Sequence, residues 1–191
     1  ADITVVSNYG ISKDDERIIG KADGIKEVEY GYFKDVVISG TDRSMRIYSK
    51  PDAVSTYDVT EGRLPKRTGE IALDMKERDR FAVGSTLNVT EKTDIAGGTV
   101  LRHHKFTVVG FVRASETLSC LNMGQSTAGG GELKGYAVAV PGEFDSDVKM
   151  IARATYEDTE GLDYWSAEYR DAVQKHKDQL VTLLANQPKA R

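Results

Sequence analysis

Glu61-Gly-Arg-Leu-Pro65-Lys-Arg-Thr-Gly-Glu70-Ile-Ala-Leu-Asp74 holds the reading that decides the fold. Pro65 fixes one φ and cannot donate a backbone hydrogen bond, so Gly62 to Gly69 reads as a turn segment. Glu70 to Leu73 then reads as a short strand, and Met75 to Phe81 as a helical turn. Two segments complete the unit. Val83-Gly-Ser-Thr-Leu-Asn-Val89 places a strand over Thr86 to Thr90 after a glycine. Phe106-Thr-Val-Val-Gly-Phe-Val112 is apolar on both faces and predicts a doubly buried strand within Lys105 to Arg113. None of these segments carries a nucleophile with a base, a ligand cluster or a phosphate loop.

Working outward, the N-terminal part predicts a strand over Ile3 to Val6 and a helix from Lys13. Ser12 is its N-cap, Asp15 stands at the capping-box position, and Asp14 and Glu16 add to the favourable charge near the helix dipole. Ile18, Ile19 and Ala22 form its narrow apolar stripe, and Gly24 is a left-handed stop. From Val28 the period changes to two. Val28, Tyr30, Tyr32, Val36 and Ile38 share one face of what reads as a single long strand, and Gly40-Thr-Asp42 turns it into a hairpin partner over Ser44 to Ser49. Asp94 to Gly98 and the glycine-rich Gly124 to Gly131 read as loops. Gly135 to Val140 and Met150 to Tyr156 read as strands. A closing helix over Leu162 to Asn186, about 37 Å long at 1.5 Å per residue, carries Leu162, Trp165, Tyr169, Val173, Leu180 and Leu184 at helical spacing.

The bulk numbers exclude several function classes. The chain has 191 residues, 39% of them apolar and 29% charged, which is ordinary for a globular protein. Its 26 basic and 30 acidic residues give a net charge of −4, dispersed along the chain, so no nucleic-acid footprint is expected. Apolar runs fall far short of the ~18 residues of a membrane-spanning helix. The single cysteine, Cys120, cannot form an internal disulfide or a zinc site by itself and reads as an ordinary thiol. His103 and His104 are adjacent and would point to opposite faces of a strand, so they do not ligate one ion together. His176 reads as a packing residue. Asp14 to Glu16 and Glu157-Asp158 lack the alternating oxygen ligands of a calcium loop. No catalytic residue, cofactor-binding residue or metal ligand is nominated. The start at Ala1 and the uncapped end at Arg191 give the chain the look of an excised domain.

The Gly-Arg-Leu-Pro turn, Glu70 to Asp74, the Val83-Gly pair, Val108 to Val112 and the stretch from Gly130-Gly-Glu132 to Val140 are weak signals singly. In this order, between the opening strand and helix and the long closing helix, they resemble the extracytoplasmic domain of FtsX/MacB-like ABC transporter permeases of Gram-positive bacteria. The resemblance implies the α+β fold of a MacB-like periplasmic core. In it, residues 1–57 and 133–191 form a membrane-proximal α+β subdomain, and residues 58–132 form an inserted β-rich subdomain. It also implies a domain on the extracellular side of the cell membrane, with transmembrane helices flanking residues 1 and 191 and a cytoplasmic ATPase subunit as engine. The expected role is non-catalytic mechanotransmission toward a peptide, a lipoprotein or a cell-wall hydrolase. No sequence feature calls for a partner tunnel across an outer membrane.

Candidate partner-contact residues are Leu118, Leu121, Met123 and Gln125 around the glycine-rich loop, and Trp165 and Tyr169 on the closing helix. Two other classes stay open: an extracellular sensory or binding module, for antimicrobial-peptide sensing or cell-wall hydrolase regulation, without transport, and a small hydrolase.

Overall fold

The computed structural model describes residues 2–7, 10–51, 57–91, 99–114, 120–123 and 133–185. Their architecture is α+β, with two sheets and two helices.

The smaller sheet joins the two ends of the chain. Strands β1 (Ile3–Ser7), β2 (Ile25–Gly31), β9 (Cys120–Met123) and β11 (Ile151–Tyr156) lie in the order β2-β11-β1-β9, antiparallel except for the parallel β1–β9 pair. Helices α1 (Lys13–Gly20) and α2 (Ala167–Ala185) pack on one face. Ile3 and Val5 of β1 and Ala152, Ala154 and Tyr156 of β11 meet Ile19, Tyr169, Val173 and Leu180 there. The alternate residues Val6 and Ile151 turn to the other face and pack against Phe33 and Tyr48 of the larger sheet. This sandwiching is why all five residues of β1 are buried. At α1, Ser12 Oγ accepts from the Asp15 N–H and the Asp15 carboxylate accepts from the Ser12 N–H, the reciprocal cap expected there.

The larger sheet has seven strands: β3 (Phe33–Ile38), β4 (Ser44–Ser49), β5 (Tyr57–Gly62), β6 (Glu70–Asp74), β7 (Thr86–Glu91), β8 (Lys105–Ala114) and β10 (Leu133–Ala139), in the order β5-β8-β6-β10-β4-β3-β7. A further pairing of β7 with β8 closes six of them into a barrel. The ten-residue β8 makes this possible. One of its edges pairs with β6, and the other pairs first with β7 through Thr107 and then with β5 from Gly110. Between those partners the β6–β8 register slips, from Ile71 opposite Val108 to Ala72 opposite Gly110, a bulge that lets the strand bend. Only glycine fits at Gly110, since a Cβ would meet backbone atoms of Glu61 and Arg63. The barrel is filled by Val36, Ile38, Met45, Ile47, Ile71 and Leu73 with residues from β7, β8 and β10.

The stretch from Glu61 to Asp74 folds as a turn and a strand, as read, and carries its own clasp. Arg63 donates to both oxygens of Glu70, at 2.9 and 2.7 Å, and the Lys66 N–H donates to the same carboxylate at 2.9 Å. The Arg63 bonds come first in holding Glu70 well below the ordinary 4.5, at about 2, with the Lys66 N–H assisting. A carboxylate whose folded value is depressed stabilises the fold above the unfolded value. That contribution is therefore expected to be complete above pH 4.5 and to fade as pH falls toward 2. Carboxyl NMR titration of the Arg63→Gln variant should show Glu70 moving upward; an unmoved Glu70 would refute the clasp.

Three sequence expectations are corrected. The single long strand over Val28 to Ile38 is two strands, β2 and β3, in different sheets, broken at Tyr32. The two-residue alternation survives the break, but Val28 and Tyr30 serve the helix-side core while Val36 and Ile38 serve the barrel. Tyr32 is tied instead to the end of β4, its N–H donating to Ser49 Oγ at 2.9 Å. Second, the closing helix begins at Ala167, so Leu162 and Trp165 precede it. Ser166 caps it, its Oγ accepting from the Tyr169 N–H at 3.1 Å. Third, Cys120–Met123, to which the sequence pattern assigns no strand, form β9 beside β1. The loops at 94–98 and 124–131 and residue Asn186 lie outside the described residues.

Sheet membership follows a different line from the 57/58 and 132/133 divisions of the sequence. β3, β4 and β10 join the larger sheet and β9 joins the smaller.

Candidate functional site

The start of β1, the 3-10 turn Glu157–Thr159 and the first turns of α2 converge on one carboxylate, that of Asp2. Asp2 is 5% exposed. Its Oδ2 accepts from the Tyr156 N–H at 2.8 Å and from Thr159 Oγ1 at 2.5 Å, and its Oδ1 accepts from the Tyr169 hydroxyl at 2.9 Å. Its own N–H donates to the Ala154 carbonyl at 2.9 Å. One residue therefore fastens the first strand, the last strand and the last helix. Burial, and secondarily the charge of Asp2, holds the hydroxyls of Tyr156 and Tyr169 protonated well above the ordinary phenol range.

Over this junction lie Tyr164 and Trp165. Tyr164 stands edge-on to Tyr169 at a 5.1 Å ring separation, yet it is 56% exposed, and Trp165 is 78% exposed. Asp163 shapes their loop, its Oδ1 accepting from the Trp165 N–H and its carbonyl from Ser166 Oγ.

One flank along α2 is a cleft of about 300 Å³, lined by Asp23, Gly24, Asp158, Lys175, His176 and Gln179. His176 is 7% exposed, stacks on Tyr156 at 3.8 Å and hydrogen-bonds the Asp158 carboxylate through Nε2 at 2.8 Å. Because a carboxylate only accepts, Nε2 carries the proton. Gln179 Nε2 donates to Asp23 at 3.0 Å. Reversing that amide would set its oxygen against a carboxylate, so the orientation is settled and leaves Gln179 Oε1 buried with no partner among the described residues.

His103 and His104 stand just before β8. They do diverge. His103 Nδ1 bonds Glu143 at 3.0 Å and His104 Nε2 bonds Glu91 at 2.6 Å. Both carboxylates also gather backbone N–H groups, Glu143 from Gly69 and His103, Glu91 from Val100 and Leu101. These are structural clamps on the barrel rim. Among the described residues no group of three or more histidine, cysteine, aspartate or glutamate side chains is placed to hold a metal ion.

Of the residues nominated from sequence, Trp165 is exposed at the surface, whereas Tyr169 is 8% exposed and its hydroxyl is committed to Asp2. Tyr169 is thus a core residue here, with no face to offer a partner. Leu118 and Gln125 lie outside the described residues, and Leu121 and Met123 are placed only as backbone of β9, opposite Val5 and Ser7 of β1. His176 packs, as expected, and in addition pairs with Asp158. Sequence reading passed over Asp2 and Gln179, and weighed Asp158 only as a calcium ligand. A charged residue directly before the β-branched run Ile3 to Val6 was the one available signal for Asp2; nothing local marks Gln179.

No helix among the described residues is long and apolar enough to cross a membrane. No family model matches the chain, and no curated protein matches it. Among solved structures the chain is similar to the crystal structure of the extracellular domain of the noncanonic ABC-type transporter YknZ from Gram-positive bacteria, at 14% identity, over 98% of this chain and 95% of that one, with a TM-score of 0.40.

Proposed function

We propose that this chain is the extracellular, non-catalytic domain of an ABC transporter permease, passing ATP-driven motion of flanking membrane helices to an external peptide, lipoprotein or cell-wall hydrolase. The observation that carries the reading is the Asp2 junction. The first strand and the last helix of the chain sit on one sheet and share one buried carboxylate, so a load applied at either end reaches the same rigid layer. That layer is the membrane-proximal part in this reading, and the barrel projects from it. Phe33 and Tyr48 against Val6 and Ile151 make the joint between them.

The reading requires about 20 apolar residues on each side of the chain in its gene, further spans beyond them, and an ATPase partner. In the intact assembly, Val173→Pro should break α2 and abolish coupled transport while the ATPase subunit still co-purifies. Full transport by that variant, or a gene with a single membrane anchor, would overturn the proposal in favour of a binding module without transport.

A further inference from the structure

Residues 157–171 hold six acidic side chains, Glu157, Asp158, Glu160, Asp163, Glu168 and Asp171, against one basic side chain, Arg170. All are exposed. That excess of five is larger than the net −4 of the whole chain, so a charge that is dispersed in the overall count still has one dense, structured acidic segment. Two of the six are partly offset, Asp158 by His176 and Glu160 by Lys26 at 2.9 Å. Amid them stand Tyr164 and Trp165, the most exposed large hydrophobic side chains described. An indole left in water within an acidic segment is a costly arrangement in isolation and a favourable one for a cation with an apolar stem. Beside it, the cleft lined by Asp23, Asp158, Lys175 and Gln179 offers two carboxylates against one ammonium, and a buried amide oxygen that still needs a donor.

We propose that this acidic, aromatic face binds a cationic amphipathic polypeptide segment. Its apolar and basic side chains would cover Trp165 and Tyr164, and a lysine or arginine head would donate into the cleft toward Gln179 Oε1. Charge complementarity selects this occupant. An anionic bilayer surface would be repelled by the same carboxylates, and an acidic or purely apolar segment would leave them unmatched. The inference names the chemistry of the external partner in the permease reading and rests on that reading only for its biological setting; the binding itself is tested on the 191-residue chain alone.

Trp165 is the only tryptophan of the chain, so its fluorescence reports on the face directly. Titration with a lysine-leucine amphipathic peptide should give a saturable blue shift. Raising the salt should weaken it on the order of tenfold, as should the charge-neutralised variant Glu157→Gln/Glu168→Gln/Asp171→Asn with its thermal midpoint retained. By calorimetry, Trp165→Ser should weaken binding on the order of tenfold and Gln179→Met by a smaller factor. The proposal is overturned by the absence of a saturable shift, by equal binding of a glutamate-leucine peptide, by unchanged affinity of the neutralised variant, or by phosphatidylglycerol vesicles producing the shift in place of the peptide. Loss of peptide binding would leave the transport test above untouched, and the reverse holds too.

Discussion

Asp2→Ala is expected to destabilise the protein by about 4 kcal/mol, because the substitution removes an ionised acceptor from three buried donors at once. Bonds to a charged group contribute roughly 1.5–3 kcal/mol each, and a buried donor left without a partner costs about 1–3 kcal/mol, but a shared acceptor makes the sum less than additive. Asp2→Asn keeps an acceptor oxygen and should cost about half as much. Tyr169→Phe removes one donor along with its need for a partner and should cost about 1 kcal/mol. Urea unfolding checks all three, and a cost below about 1 kcal/mol for Asp2→Ala would mean that the ends of the chain are not fastened by this carboxylate. Any such loosening should also separate α2 from β1 before the barrel melts, visible as early amide exchange in α2.

A cost of similar size is expected in the barrel wall. Arg46 and Asp35 face each other across β4 and β3, with Arg46 Nε and Nη2 donating to the two Asp35 oxygens at 2.7 and 3.1 Å. The guanidinium also lies 4.4 Å from the Phe33 ring centroid. Burial pulls its proton affinity down, and the Asp35 bonds and charge more than reverse this, so Arg46 stays charged above its ordinary range. Asp35→Ala leaves that charge buried without its partner and should cost about 3–5 kcal/mol. Replacing both residues, Asp35→Leu with Arg46→Met, should recover most of the loss, since a buried ion pair is often no more stable than well-packed apolar side chains. If the double variant were as unstable as the single one, the pair would contribute net stability beyond cancelling its own desolvation.

Elements with strict local signals were legible from the residues alone. The capping box at Ser12 and Asp15, the Gly40-Thr-Asp42 turn between β3 and β4, and the apolar run at Val108 to Val112 each state their structure within a few residues of chain, because dihedral preference and side-chain period act locally. Val28 to Ile38 shows where this stops. Alternation has the same phase on both sides of Tyr32, so nothing in the pattern reveals that the backbone passes from one sheet to the other. The bulge at Gly110, where β8 changes partners, has the same character. Gly110 looks like a gap in an apolar strand, and its reason appears only when the backbone of Glu61 and Arg63 is seen against it.

For the candidate face, the exposed Trp165 could be named from sequence but its neighbour Tyr169 could not be sorted from it, since both lie on the same apolar stripe and only the position of Ser166 as the cap puts one before the helix and the other into its buried side. Period and caps were determined by the chain itself: two helices and alternating strands. The tertiary structure alone decided that the larger sheet closes on itself, that Asp2 meets Tyr169, and that Gln179 is left with an unmet oxygen. Those pairings join residues far apart in the chain, and their energies depend on burial and on the geometry of partners that no local pattern contains.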